Sequence, residues 1–224
     1  MFEEQIITLF SKQRLESYNN DLDKHFDNLR LIARITPKIA VIEIALRNVA
    51  DSILTQENPR WIECISDPKL LKDKQKIIDR FKDDNLTHHQ FLSNFTLGSI
   101  IYLIRNYKIQ RALLNVGNMN LRKYFVGNKN YYLAKTQKPN IKKIKFKDYQ
   151  KVNIVLSLLS TIRNRSYHWE NLSKMIQKDE KQYPRLSVVD KELKVMTAIE
   201  PNKIEDFLDD IMDCIEPKLR KLIE

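Results

Sequence analysis

Hydrophobic residues in the first quarter of the chain follow the spacing of amphipathic helices. Apolar side chains recur at steps of three and four across residues 11–33, with Ser11 in a position to cap the helix. The same spacing returns across residues 37–53, and Pro37 suits the first turn of a new helix because a backbone N–H there would have no partner. The sequence therefore predicts two successive helices, the second of which ends at Asn58.

Four more helices are predicted in the rest of the chain. They cover residues 67–81, 88–105, a segment from 148 to about 162, and 203–223. Turns between strands depend on glycine, and the chain contains only three glycines, so we expect an all-α fold, a helical bundle. Asn, Gly and Pro interrupt the region at about 106–147, which is predicted to be a basic, partly irregular insertion in a single domain spanning residues 1–224.

The positive charge is concentrated in one segment. The net charge is +10, but residues 101–151 contain thirteen lysines and arginines against a single acid, Asp148. Tyrosines and phenylalanines lie between these cations, which is typical of surfaces that bind a polyanion and stack on its bases. A solvated lysine-rich surface without a ligand is the alternative. The cations expected to bind RNA are Arg105, Lys108, Arg111, Arg122, Lys123, Lys142, Lys143, Lys145 and Lys147.

Several classes of function are disfavoured by the sequence. Three glycines cannot supply a GxGxxG motif or a P-loop, which excludes nucleotide-binding folds of those kinds. His88-His89 has no third ligand nearby, so an exposed helix start is favoured over a metal site, and no cofactor is predicted. Cys64 and Cys214 are far apart, as in proteins of reducing compartments, and neither a signal peptide nor a spanning segment is evident. A cytoplasmic location without membrane contact is therefore expected.

The strongest chemical motif is Arg163-Asn164-x-x-x-His168. Cutting RNA without a metal requires a base for the 2′-hydroxyl proton and a fixed cation for the charge that builds on the phosphorane oxygens. Histidine as a residue type titrates near neutrality and serves as base or acid, while arginine offers a permanent, planar match to phosphate. The motif predicts a metal-independent endoribonuclease that leaves 2′,3′-cyclic phosphate and 5′-hydroxyl ends.

The spacing of Arg163 and His168 restricts how they act together. Positions five apart on an unbroken helix point about 140° away from each other. The two groups reach one phosphate only if the helix kinks or ends between them, or if two subunits bring both pairs together. Helices often end at asparagine, and the hydrophobic stripe stops at Ile162, so a break at Asn164 is expected.

Four short blocks, in order along the chain, resemble the Abi-like (abortive phage infection) family of bacterial HEPN proteins. The 10–18 block reads Phe-Ser-Lys-Gln-Arg-Leu-Glu-Ser-Tyr and resembles the family's S-x-Q-R-L-x-x-Y start. The 43–48 block, Glu-x-x-Leu-Arg-Asn, is followed by Trp61 and resembles E-x-x-L-R-N … W. The 95–98 block, Phe-Thr-Leu-Gly, resembles L-T-F-G imperfectly. The 163–170 block resembles R-N-x-x-A-H-H-E, with tyrosine and tryptophan in place of the alanine and the second histidine.

This resemblance implies a HEPN-type helical bundle that acts as an RNase toxin in abortive infection, an antiviral defence, and that is restrained by an RNA or protein antidote. It also implies a homodimer in which Arg163 and His168 are catalytic and Asn164 orients its neighbours. The residues expected to support such a site are Glu43, Arg47, Asn48, Tyr167 and Glu170.

Alternatives exist for individual residues and for the whole protein. Glu43, Arg47 and Asn48 could form a helix-pairing network rather than line a cleft. Tyr167 and Trp169 could pack in the core or at a dimer contact rather than stack on bases. A HEPN domain that binds RNA without cutting it is the main functional alternative. A DNA-binding helical regulator is less favoured, since no compact helix-turn-helix is evident.

Overall fold

The structure, a computed structural model, describes residues 2–135, 141–178 and 180–223. The helices are α1 (Phe2–Phe10), α2 (Lys12–Glu16), α3 (Leu22–Glu57), α4 (Pro68–Phe81), α5 (His88–Asn94), α6 (Leu97–Asn106), α7 (Gln110–Leu113), α8 (Asp148–Tyr167), α9 (Ile204–Ile215) and α10 (Lys218–Lys221). The strands are β1 (Tyr131–Lys135), β2 (Ile141–Lys145), β3 (Met175–Lys178), β4 (Lys181–Pro184), β5 (Ser187–Asp190) and β6 (Val195–Ala198). Short 3₁₀ turns lie at Leu121–Lys123 and Pro201–Lys203.

The long helix α3 replaces the two successive helices predicted for this region. Ser11 caps the short α2, as expected, but the chain then turns, and Asp21 caps a new helix that continues through Pro37 to Glu57. The prediction that Pro37 begins a helix is wrong. Pro37 lies on the exposed side of α3, where water can solvate the carbonyl that the missing N–H leaves free.

Helix α3 forms the centre of the core. It contacts α6, α7, α8 and α9, and its apolar stripe of Ile35, Ile39, Ile42 and Leu46 is completely buried. Helix α8 packs against α3, α6 and α7 and carries a second buried stripe, so the residues at its C-terminal end are held by the core. Over the described ranges, none of the helices combines the length and apolar character needed to cross a membrane.

The prediction of an all-α fold is wrong, because the helical core carries three small antiparallel two-stranded sheets, β1–β2, β3–β4 and β5–β6. Among the described residues, 59% are helical and 11% lie in strands. Scarce glycine did not prevent hairpins, because other residues make the turns. Asp190 Oδ1 accepts the N–H groups of Glu192 (3.0 Å) and Leu193 (2.9 Å), and Glu180 and Lys194 adopt positive φ.

The other predicted helices exist, but two of them are divided. The helix expected at 67–81 is confirmed as α4, with Asp67 as its cap. The helix expected at 88–105 is broken after Asn94, and Thr96 caps α6. The final helix ends at Ile215, just before Pro217, because the residue preceding a proline is disfavoured in helical conformation.

The region predicted as a basic insertion contains two different parts. Residues 107–130 contribute buried side chains to the core, and buried Asn128 bonds to Leu121 and to both the N–H and the carbonyl of Ala198. Residues 131–135 and 141–145, which we call the basic hairpin, form the paired strands β1 and β2. Residues 136–140, including Lys138, lie outside the described residues.

Candidate functional site

His168 lies at the C-terminus of helix α8 in a well-defined cap. The Trp169 N–H donates to the Ser166 carbonyl (3.0 Å), and the Glu170 N–H donates to the Arg165 carbonyl (2.9 Å), which is the Schellman pattern. Trp169 takes the left-handed position, with φ 55°, that glycine usually occupies there. His168 itself is exposed, so its imidazole is accessible to a substrate.

The loop after His168 is anchored to the N-terminal part of the chain. The Arg14 guanidinium donates to the Trp169 carbonyl (3.0 Å). Buried Asn28 donates to the Glu170 carbonyl (3.1 Å) and accepts the Leu172 N–H (2.8 Å). Three hydrogen bonds from two elements therefore fix the backbone that follows the imidazole.

Arg163 is held in a partly buried charge cluster between α3 and α8. Its Nε lies 3.5 Å from a Glu43 carboxylate oxygen, and Arg47 approaches the other oxygen of that carboxylate at 3.8 Å. The guanidinium carbon of Arg163 lies 4.4 Å from the ring centroid of Tyr167, a cation–π contact. Two arginines share one carboxylate, so the cluster keeps a net positive charge while Arg163 is fixed in orientation.

Helix geometry places Arg163 and His168 on different sides of α8. Helix α8 runs unbroken from Arg163 to Tyr167, so the break expected at Asn164 is wrong. The two side chains leave the helix about 140° apart. Asn164 and Asn48 are exposed, whereas Glu170 bridges Arg165 and Arg185, each at 2.6 Å. Of the expected supporting residues, Glu43, Arg47 and Tyr167 surround Arg163, and Glu170 lies on the His168 side.

His168 shares an open groove with cations that the sequence reasoning missed. This groove, which we call the His168 groove, has a volume of about 440 Å³. Arg14, Arg185 and Tyr18 contribute to its lining. The 10–18 block contains Arg14 and Tyr18, so the sequence could have pointed to these two residues as part of the site. Nothing in the sequence singled out Arg185. The remaining lining residues are Ser11, Gln13, Ser17, Trp169, Glu170 and Asn171.

The cations predicted to bind RNA fall into two groups. Arg105 is not a surface cation, because its guanidinium joins α6 to α8 through the Asn153 carbonyl (2.9 Å) and the Ser157 hydroxyl (2.7 Å), and burial lowers its pKa. Lys123 pairs with Asp210 at 2.7 Å. The other predicted cations are exposed, namely Lys108, Arg111, Arg122, Lys142, Lys143, Lys145 and Lys147.

The basic hairpin presents lysines and an aromatic ring on one face. Cross-strand pairing places Tyr131 opposite Lys145, and Leu133 opposite Lys143. The ammonium groups of Lys143 and Lys129 lie 5.3 and 5.9 Å from the Tyr131 ring centroid. On the other face, Tyr132 stacks on Phe146, and both pack against the core. The hairpin is thus fixed by one face and offers the other to a polyanion with stacking bases.

The four blocks that carry the family resemblance meet in space. The 10–18 and 163–170 blocks are joined by the bond from Arg14 to Trp169, and the 43–48 and 163–170 blocks by the ion pair of Glu43 and Arg163. Arg47 donates to the Phe95 carbonyl (3.4 Å), which brings in the 95–98 block. Residues distributed over more than 150 positions thus surround the C-terminal half of α8.

Comparisons with family models, with curated proteins and with solved structures found no match to this chain.

Proposed function

We propose that this protein is a metal-independent endoribonuclease of the HEPN type, with His168 and Arg163 as its catalytic residues. The observation that carries the proposal is the convergence of the four blocks on the end of α8, because unrelated chance matches have no reason to be neighbours in a fold. Exposed His168 and partly exposed Arg163 fit the accessibility that a catalytic pair needs.

The proposed reaction needs no bound group. The His168 imidazole takes the proton of the 2′-hydroxyl, the 2′-oxygen attacks phosphorus, and the bond to the 5′-oxygen breaks as that oxygen receives a proton from a water molecule. Arg163, held by Glu43 and Tyr167, faces the phosphorane oxygens and stabilises their charge. The products are a 2′,3′-cyclic phosphate and a 5′-hydroxyl.

Two copies of the chain supply the site in this proposal. Helix α3 has an exposed stripe at helical spacing, Ala33, Pro37, Ile44 and Asn48, which carries no charge and includes an isoleucine that is 53% exposed. Glu43 and Arg47 flank this stripe, so a second copy packed on it lies beside both Arg163 clusters. Burial of a neutral, partly apolar stripe favours self-association.

The decisive experiment incubates the protein with total RNA in EDTA and analyses the new RNA ends. Wild-type protein is expected to leave 2′,3′-cyclic phosphates, and His168→Ala or Arg163→Ala is expected to lower the rate about 10²–10⁴-fold. The matched controls are His89→Ala and Arg80→Ala, because both side chains are exposed and remote from α8 along the chain. Undiminished cleavage by His168→Ala contradicts the proposal.

A mixture of the two inactive variants tests the two-chain site. If one Arg163 and one His168 from different copies act on the same phosphate, mixing Arg163→Ala with His168→Ala protein restores a substantial fraction of activity. Ile44→Glu should abolish both the dimer, measured by sedimentation, and the cleavage. An inactive mixture from variants that do exchange subunits would place both groups in one chain and overturn this part of the proposal.

The second candidate function is RNA binding without cleavage. It is favoured by the basic hairpin, whose exposed face has the composition of an RNA-binding surface whether or not His168 is catalytic. In that case His168→Ala leaves both toxicity in cells and RNA affinity unchanged. Loss of toxicity with retained affinity in the same variant supports the enzyme.

A further inference from the structure

We propose that Arg14, Arg185 and the Tyr18 hydroxyl form a phosphodiester-binding subsite in the His168 groove. The inference rests on the proposed RNase function, which supplies the ligand, single-stranded RNA. The residues that support the subsite are different from the proposed catalytic pair. In this arrangement the subsite holds a phosphodiester next to the scissile one, within the same chain as His168.

The first observation is an unpartnered buried hydroxyl. Tyr18 is 3% exposed, and its hydroxyl is buried without a hydrogen-bond partner in the described part of the chain. The ring of Tyr18 is fixed edge-on against His25, 5.1 Å between centroids. A buried hydroxyl without a partner is costly to a free protein, so its retention beside an open groove needs a reason.

The second observation is the chemistry around that hydroxyl. The charges of Arg14 and Arg185 both act on Tyr18, lowering its pKa against the larger raising effect of burial. Guanidinium groups only donate hydrogen bonds, so neither arginine can accept the phenolic proton. The Tyr18 hydroxyl and the two guanidinium groups therefore lack a shared, negatively charged acceptor. A phosphate group supplies acceptor oxygens for the hydroxyl and for both guanidiniums.

The third observation is the charge balance of the groove. Glu170 is the one acid among its lining residues, and a single oxygen of its carboxylate is shared by Arg165 and Arg185 at 2.6 Å each. Arg14 has a carbonyl partner, Trp169, and that contact leaves its charge intact. Arg14, Arg185 and Glu170, the arginines and the carboxylate that line the groove, give a net charge of +1, and Arg165 adds a further positive charge behind Glu170; a phosphodiester carries −1. The groove therefore attracts an anion even with Glu170 in place.

The test measures binding of a 2′-O-methyl hexanucleotide with a 5′-hydroxyl, which carries only phosphodiesters and cannot be cut. At constant ionic strength, Arg14→Gln and Arg185→Gln should each weaken binding about tenfold, and Tyr18→Phe about threefold or more. Arg80→Gln, at an exposed position, is the control for loss of one charge. Equal losses in Arg80→Gln and the two groove variants would overturn the subsite.

Thermal unfolding keeps the Tyr18 result interpretable. Without ligand, Tyr18→Phe should raise Tm, because it removes an unsatisfied buried hydroxyl. With saturating hexanucleotide, Tm should rise less in Tyr18→Phe than in the wild-type protein. A drop in Tm without ligand would show that the hydroxyl already has a partner, and would overturn the inference. A Tm rise with inorganic phosphate but not with the hexanucleotide would reject a phosphodiester as the ligand.

The subsite and the proposed function can fail separately. Absence of cleavage by wild type, together with hexanucleotide binding that depends on Arg14 and Arg185, leaves the subsite standing and removes the RNase. Cleavage that depends on His168 but is unchanged in Arg14→Gln and Arg185→Gln leaves the RNase standing and removes the subsite.

Discussion

At the level of single residues, the environment of His168 combines a rigid backbone with local strain. A non-glycine residue in the left-handed region costs about 1–2 kcal/mol, and Trp169 adopts φ 55° directly after His168. Three hydrogen bonds hold the surrounding loop, so the fold keeps a bulky residue at this position despite the strain. Such over-determined backbone is often found at functional sites.

A comparison of two substitutions at Trp169 measures this strain. Both Trp169→Ala and Trp169→Gly remove the indole, but only glycine adopts the left-handed conformation freely. We expect Trp169→Gly to be more stable than Trp169→Ala by about 1 kcal/mol, measured by urea unfolding. Inside a regular helix the order is reversed, so an alanine variant as stable as the glycine variant would show that φ at this position is not strained.

The buried imidazole of His25 predicts a pH-dependent stability. Its ring is 1% exposed, neither nitrogen has a partner in the described ranges, and three aromatic rings surround it, those of Phe10, Tyr18 and Phe26. Burial, aided by the charge of Arg14, lowers the pKa of His25. The unfolded chain therefore binds the proton first as the pH falls below about 6.5, and the folded state loses stability from that pH downward.

The measurement is the free energy of unfolding at pH 7.5 and pH 5.5. Wild type should lose more stability over this interval than His25→Phe, which keeps an aromatic ring and removes the titration. His89→Ala, at an exposed histidine, should lose as much as wild type. A His25→Phe variant with an unchanged pH dependence would mean that His25 is protonated as easily when folded as when unfolded.

At the level of elements, hydrophobic spacing located the helices, but tertiary contacts decided where they begin and end. After Pro37 the buried stripe of α3 follows the predicted positions Ile39, Ile42 and Leu46, whereas before it the predicted Phe26 is exposed and His25, Asn28 and Leu31 are buried instead. Pro37 does not interrupt the helix, because this residue faces solvent. All six strands were missed. Strands β1 and β2 lie in the region predicted to be partly irregular, and β3 to β6 are four residues each and pair only locally. Their turns use Asp190 and residues at positive φ instead of glycine, a substitution that composition alone does not reveal.

Asn28 is the main side-chain link between α3 and the loop after α8, and its removal should be costly. Asn28→Ala leaves the Glu170 carbonyl and the Leu172 N–H without their partner in a buried setting. The expected loss is about 2–4 kcal/mol in the free energy of unfolding, together with slower RNA cleavage if His168 is catalytic. Asn118→Ala, at an exposed asparagine, should change stability by less than about 0.5 kcal/mol; a similarly small effect for Asn28→Ala would contradict the link.

At the level of the whole molecule, the sequence singled out Arg163 and His168 but not all the residues that surround them in the fold. The motif spacing predicted a break at Asn164, but α8 continues to Tyr167 and ends only at the His168 cap. Arg14 and Arg185 were missed as groove residues because they come from distant parts of the chain. The basic segment was found by counting charges, but a count cannot distinguish Arg105, which joins two helices, from lysines that face solvent.

The basic hairpin is the part of the molecule where charge should translate directly into RNA affinity. Lys143 and Lys145 on its open face and the adjacent Lys129 are exposed, and each phosphate that a lysine neutralises contributes about 0.7 to the salt dependence of single-strand binding. Replacing all three with glutamine should therefore lower the magnitude of the slope of log K against log salt by about 2. The ligand for this measurement is a 2′-O-methyl 20-mer, which is longer than the hexanucleotide used for the groove. The control replaces Lys72, Lys82 and Lys221, also exposed, and changes net charge equally. Equal slopes for the two triple variants would show that only overall charge matters, and that RNA does not contact the hairpin.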